Sequence, residues 1–286
     1  MRFALSHLTL YEYDKLVGLG PQTIRLRPMS HCPSTVLFHS ITIEPNGHEI
    51  AWLNDELDNP IAVLNFEQKI RRLSISVDLV IDTPQVMAPG VHPLSTQHYF
   101  GTTTPSLFFT PAQSSEAVQN FAYACCPTGL SALQTAQTLN QAIHQNIHYN
   151  IRTEPGVQST EQTLMLKSGS CRDSAWLLVQ LLRQRGFIAR FVSGYLIDLP
   201  AQSEWNQHHT PNMAEHQHTE LHAWCEVWTP DMAWVGLDPT SGLFSGFGHI
   251  PLATGINTEQ ASPLTGWLEP CQVAFSHSMQ LRWIKT

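Results

Sequence analysis

Three residues far apart in the chain have the types needed to attack a carbonyl. Cys171 offers a thiol, His222 an imidazole to take its proton, and Asp238 a carboxylate to orient that imidazole. Cys171 directly follows Ser170, and Asp173 stands three residues after the serine. This is an acidic version of the capping box, so a helix is expected to begin at Cys171. In a first helical turn the unpaired N–H groups and the helix dipole favour an anion, which eases thiolate formation. The backbone N–H of Cys171 can also donate to the oxyanion that forms when sulfur adds to a carbonyl. Cys171, Ala175, Leu178 and Leu182 share one helical face, which turns the sulfur inward.

The base and its partner fall on a predicted hairpin. Residues 221–228 and 233–238 alternate as strands, joined by Thr229-Pro230-Asp231-Met232. With Trp228 opposite Ala233, a one-residue bulge sets His222 across from Asp238, on one face and ~5 Å apart. Asp238 would then hold one ring nitrogen and leave the other for Cys171. Asp173 reads first as a cap that supports the nucleophile. Tyr149 and Gln158, upstream of Cys171, are the candidates for a second oxyanion donor. Glu226 shares the His222 face and admits either a structural or a site role. Cys125 and Cys225 lie on apolar faces and read as core, whereas Cys32 and Cys271 sit in irregular, Pro-flanked sequence.

These residues need a scaffold, and the patterning describes one. Apolar residues at 73, 75, 77, 79 and 81 alternate with polar ones, the signature of a half-buried strand. Residues 3–13 and 36–43 repeat the pattern more weakly, with turn signals at Pro45-Asn46-Gly47 and Asp58-Asn59-Pro60. An antiparallel β-sandwich over residues 1–85 is expected. A Pro-rich stretch, 86–112, reads as a linker. Helical spacing follows at Val118, Phe121, Ala122 and Cys125, and from Ala132 to Ile147. Ser159 with Gln162 caps a short helix, and Gly186 is placed to end the helix that starts at Cys171. Strands return from residue 187, so residues 113–265 make an α+β catalytic core. The alternation at 273–283 suggests that residues 266–286 add a strand back to the N-terminal sheet.

Composition narrows the function. Of 286 residues, 42% are hydrophobic, and 15 Lys+Arg against 23 Asp+Glu leave a net charge of -8. That balance argues against a general nucleic-acid binder, which needs a basic surface. No run approaches the ~18 apolar residues of a membrane helix, and the N-terminus lacks a signal-peptide pattern. Six cysteines, two of them adjacent, do not make a disulfide framework, which points to a reduced, cytoplasmic protein. Residues 200–220 contain His208, His209, His216 and His218 without regular ligand spacing, and suggest a flap near the site rather than a zinc centre. No Gly-rich phosphate loop is present. No cofactor or metal is expected.

Four ordered motifs resemble the bacterial transglutaminase-like superfamily, whose members are often assigned as cysteine proteases. They are Ser170-Cys171-Arg172-Asp173; residues 189–196; Leu221-His222-Ala223-Trp224; and Leu237-Asp238-Pro239-Thr240, continuing through 249–255. Arg25-Leu26-Arg27-Pro28, with the strands around it, is similar to the family's N-terminal β-region. The resemblance implies a papain-like core and a Cys171–His222–Asp238 triad that forms a thioester from a peptide or protein amide. Water completes a peptidase or amidase, and an amine completes an acyl transfer. Arg172 follows the nucleophile where animal transglutaminases have Trp, and no calcium-ligand loop is apparent. Peptidase chemistry is the first expectation, amine transfer the second, and a catalytically silent peptide-binding module the third. The sequence does not specify an oligomeric state.

Overall fold

The computed structural model describes residues 1–84, 105–108, 115–152, 154–199, 218–230 and 233–284. Most of the expected linker and the His-rich segment through residue 217 lie outside these.

Six strands come first: β1 (Arg2–Val17), β2 (Leu19–Ile24), β3 (Thr35–Glu44), β4 (His48–Asn54), β5 (Pro60–Phe66) and β6 (Ile70–Asp82). Then come helices α1 (Glu116–Cys125) and α2 (Ala132–Asn146), followed by strand β7 (His148–Tyr149). The next elements are α3 (Thr160–Leu166), β8 (Ser168–Gly169) and α4 (Cys171–Gln184). Strands β9 (Ala189–Ile197), β10 (Thr219–Thr229), β11 (Ala233–Asp238), β12 (Leu243–Phe244) and β13 (His249–Gly255) complete the central part. The chain closes with β14 (Leu264–Leu268) and β15 (Val273–Ile284). It is an α+β fold of mostly antiparallel sheets.

Two four-stranded sheets, β15-β1-β6-β3 and β14-β2-β5-β4, use the first six strands and the last two. The alternation on β6 buries Leu73, Ile75, Val77, Leu79 and Ile81 against Phe3, Leu5 and Leu64 from β1 and β5. β15 runs antiparallel along β1, from Arg2↔Ile284 to Tyr13↔Val273, yet Val273 and Phe275 stay exposed and only Leu281 is buried. β14 crosses residue 265 and pairs with β2.

The third sheet runs β12-β11-β10-β9-β13. Alternation divides β10 between two environments. Ala223, Cys225 and Val227 pack into a helical core with Leu178, Leu182, Leu139 and Ile143. His222, Trp224 and Glu226 take the other face. β12 and β13 are opposite edges of this sheet, but only residues 245–248 separate them. Those few residues reach roughly 18 Å when extended, whereas five flat strands span about 19 Å between edges. The sheet must therefore curl. The link starts by extending the β11–β12 pairing, with Ser245 N donating to Gly236 O at 3.0 Å. A Cβ at Gly236 would lie 1.9 Å from Ser245 Oγ, so any other residue there would force the serine side chain to move.

Among the described residues, no helix is long and apolar enough to cross a membrane.

Candidate active site

Cys171 is the first residue of α4, and Ser170 before it is extended (φ -80°, ψ 176°), as an N-cap is. Asp173 Oδ2 accepts from both Ser170 N and Ser170 Oγ at 2.8 Å. Its Oδ1 accepts from Gln158 N at 2.7 Å, and Arg152 Nη1 reaches both oxygens at 2.7 and 2.8 Å. Burial works against the charge on Asp173, but these donors outweigh it and hold the carboxyl below its usual range. Asp173 is thus more than a cap, because it ties the 152–158 segment to the helix start.

That tie positions the other candidates. Asn150 N donates to Gly169 O, and β7 pairs with β8 so that Tyr149 lies beside Gly169. Burial, then the nearby Cys171, Glu220 and Asp238, push the Tyr149 phenol up to about 12, which keeps it a neutral hydrogen-bond donor. Gln158 is held differently. Its backbone N–H is committed to Asp173, and its Oε1 accepts from Thr163 Oγ1 at 3.2 Å.

His222 and Asp238 meet, but not through the expected bulge. β10 and β11 pair Thr229↔Ala233, Trp228↔Trp234 and Cys225↔Leu237, one residue out of the predicted register. Ala233 takes a left-handed φ of 60°, so Thr229 belongs to the strand and the connection is shorter than its sequence suggested. Continued one step, this register sets Trp224 across from Asp238, and His222 reaches the aspartate diagonally. His222 Nε2 lies 3.1 Å from Asp238 Oδ2, with both side chains almost fully buried. The other oxygen, Oδ1, accepts from Thr240 N at 2.9 Å and Thr240 Oγ1 at 2.7 Å.

With Nε2 committed, Nδ1 of His222 is left for the thiol. Burial opposes a charged ring, but hydrogen bonding to Asp238, Cys171 and Glu220 overrides it and holds the His222 pKa far above its ordinary value. The same partnership, joined by His249, keeps Asp238 ionised well below the usual carboxylate range despite burial. The imidazole of His222 thus stands between the Asp238 carboxylate and the Cys171 thiol, in surroundings that favour its protonated form.

Two neighbours escaped the sequence reading. Glu220 Oε1 lies 3.4 Å from His222 Nδ1 and is partly open to solvent. Its position two residues before His222, on the same strand face, was the available signal. His249, at the start of β13, places Nε2 3.5 Å from Asp238 Oδ2. It stood within the 249–255 motif, but nothing in local spacing connects it to Asp238. Glu226 resolves as structural, since Arg190 Nη2 and Nε hold its Oε2 at 2.6 and 2.7 Å in a buried ion pair. Of the two adjacent cysteines it is Cys126, not Cys125, that is fully buried. Cys225 is buried as expected, and all six cysteines are unpaired.

His222, Asp238 and His249 present ligand atoms within 4.8 Å of one another, close enough to hold a metal ion. The hydrogen bonding does not suit one. A metal-bound histidine donates its remote N–H, whereas His249 Nδ1 accepts from Gly246 N at 3.0 Å. The ring proton then sits on Nε2, and no lone pair faces Asp238.

Residues 119–239, which carry all three candidates, match the model of the transglutaminase-like superfamily, and residues 3–82 match that of the bacterial transglutaminase-like N-terminal region. Both segments therefore match transglutaminase-like families. An uncharacterised protein of Mycobacterium tuberculosis is 24% identical to this transglutaminase-like chain, over 93% of it and 87% of the relative. One from Mycobacterium leprae is 22% identical, covering 93% and 92%. Among solved structures, a candidate cysteine protease from Cytophaga hutchinsonii aligns over 100% of this chain and 91% of its own. Its TM-score is 0.69 at 18% identity, which is a shared fold.

Proposed function

We propose that this transglutaminase-like protein breaks amide bonds through a thioester on Cys171. The observation that carries the reading is the buried imidazole anchored through Nε2 on Asp238, with Nδ1 left for the thiol. The thiolate adds to the amide carbonyl, and the backbone N–H of Cys171, with the neutral Tyr149 phenol, stabilises the oxyanion. The imidazolium gives its proton to the leaving amine as the C–N bond breaks. Water, deprotonated by the now neutral His222, then hydrolyses the thioester. The substrate is a peptide or protein amide, and six unpaired cysteines suit a reducing, cytoplasmic setting. The test is a panel of peptide amides assayed for amine release. Wild type should turn over at least one member, and Cys171→Ala none.

Acyl transfer is the second reading, and Glu220 favours it. A carboxylate 3.4 Å from the proton-donating nitrogen lies where the departing or incoming amine must stand. It would bind that amine as an ammonium ion. With lysine methyl ester as acceptor, Glu220→Gln should lower the ratio of transfer to hydrolysis by about 5-fold, the ~1 kcal/mol of a half-exposed ion pair. An unchanged ratio, measured by product mass spectrometry, would remove Glu220 from the acceptor side.

A further inference from the structure

The geometry points to His249 as a fourth member of the site, a positioning residue that donates its Nε2–H to Asp238 and so fixes the carboxylate that orients His222. This inference rests on the thioester reading above. Three observations carry it. First, the tautomer is set from behind, because Gly246 N–H donates to His249 Nδ1 at 3.0 Å and leaves the ring proton on Nε2. Second, that Nε2 is buried, has no conventional hydrogen-bond partner, and faces Asp238 Oδ2 at 3.5 Å. It needs only a small closure to bond. Third, the ring is clamped, with Trp224 edge-on at 5.1 Å between centroids and His222 edge-on at 6.0 Å.

The clamp is built into the fold. Gly194 of β9 pairs with His222 on one side and Pro251 on the other. A Cβ at 194 would lie 2.6 Å from the Trp224 ring and 2.2 Å from Ile250 O, so glycine lets Trp224 and β13 close in on His249. Asp238 then has a full set of donors. Thr240 serves Oδ1 twice, while His222 and His249 converge on Oδ2. Burial and the positive His222 hold the His249 pKa below its ordinary value, against the pull of Asp238. A neutral donor supports the carboxylate without competing for its charge.

The test has two parts. In uniformly 15N-His protein, two-bond 1H–15N correlation spectra at about pH 7 should show His249 neutral with the proton on Nε2; the opposite tautomer or a doubly protonated ring would overturn the inference. In parallel, the pH profile of Cys171 alkylation is compared in wild type, His249→Gln and His249→Phe, with thermal unfolding as a fold control. Losing a hydrogen bond to a charged group costs about 10- to 100-fold. His249→Phe should lose low-pH reactivity by that factor, and His249→Gln, whose amide N–H can still reach Asp238, should keep most of it. In an Asp238→Ala background the Phe substitution should have no further effect. A folded His249→Phe with the wild-type profile, or an undiminished effect without Asp238, would overturn the inference. A reactive, low-pH Cys171 in wild type leaves the thioester reading intact in either case.

Discussion

His222→Ala is expected to slow alkylation of Cys171 by iodoacetamide at about pH 6 by one to two orders of magnitude. The argument is the protonation state of the pair. An imidazole held protonated by Asp238 stabilises a thiolate beside it, so wild type should react well below neutrality. An ordinary free thiol is only about 0.3% thiolate at pH 6, which sets a ceiling of roughly 300-fold for the advantage. Stabilised thiolates are weaker nucleophiles, and this brings the observed ratio down. Cys225 is an internal control, since burial pushes its thiol above the ordinary range and it should stay unreactive in both proteins. Peptide mapping reads each cysteine separately. Equal rates at Cys171 with and without His222 would dissolve the pair.

The second large effect belongs to Asp173. Asp173→Ala removes the acceptor for Ser170 N, Ser170 Oγ, Gln158 N and Arg152 at once, leaving two backbone donors stranded near a buried helix start and the guanidinium with only Glu154 at 3.7 Å. Breaking one side of a buried pair costs about 3 kcal/mol or more. For a chain of this size that lowers the unfolding midpoint by roughly 6–12 °C. The pH dependence has a definite sign. The folded pKa of Asp173 is depressed, so its contribution is complete above the unfolded value of about 3.9 and is lost as pH falls through the folded value. Between about pH 5 and 3, urea unfolding should therefore lose stability more steeply in wild type than in Asp173→Asn. Parallel curves would mean that Asp173 carries no charge-dependent stabilisation.

What the sequence revealed follows from how local each feature is. The cap at Ser170–Asp173 and the helix it starts are written in adjacent residues. So are the alternations of β6 and β10, which a single strand encodes alone. The approach of His222 to Asp238 was legible as a hairpin, but its register was not. Whether Thr229 ends a strand or begins a turn depends on the left-handed Ala233, for which alanine gives no warning. His249 was hidden for a different reason. It reaches Asp238 only because the five-stranded sheet curls, as the short link between its opposite edges requires. Gln158 shows the converse. Its proximity to the nucleophile in sequence was real, but its hydrogen bonds serve Asp173 and Thr163.

The central claim is that Cys171, activated by His222, forms a thioester, and the most direct measurement is to trap it. Wild type, His222→Ala and Cys171→Ala would each be mixed with p-nitrophenyl acetate at about pH 6.5, quenched in acid and analysed by intact mass and peptide mapping. The account predicts a single acetyl group on Cys171 in wild type, removed by hydroxylamine, and none on Cys171 in either variant within the same time. Acetylation spread evenly over the partly exposed Cys32, Cys125 and Cys271, or equal labelling of Cys171 when His222 is alanine, would contradict it.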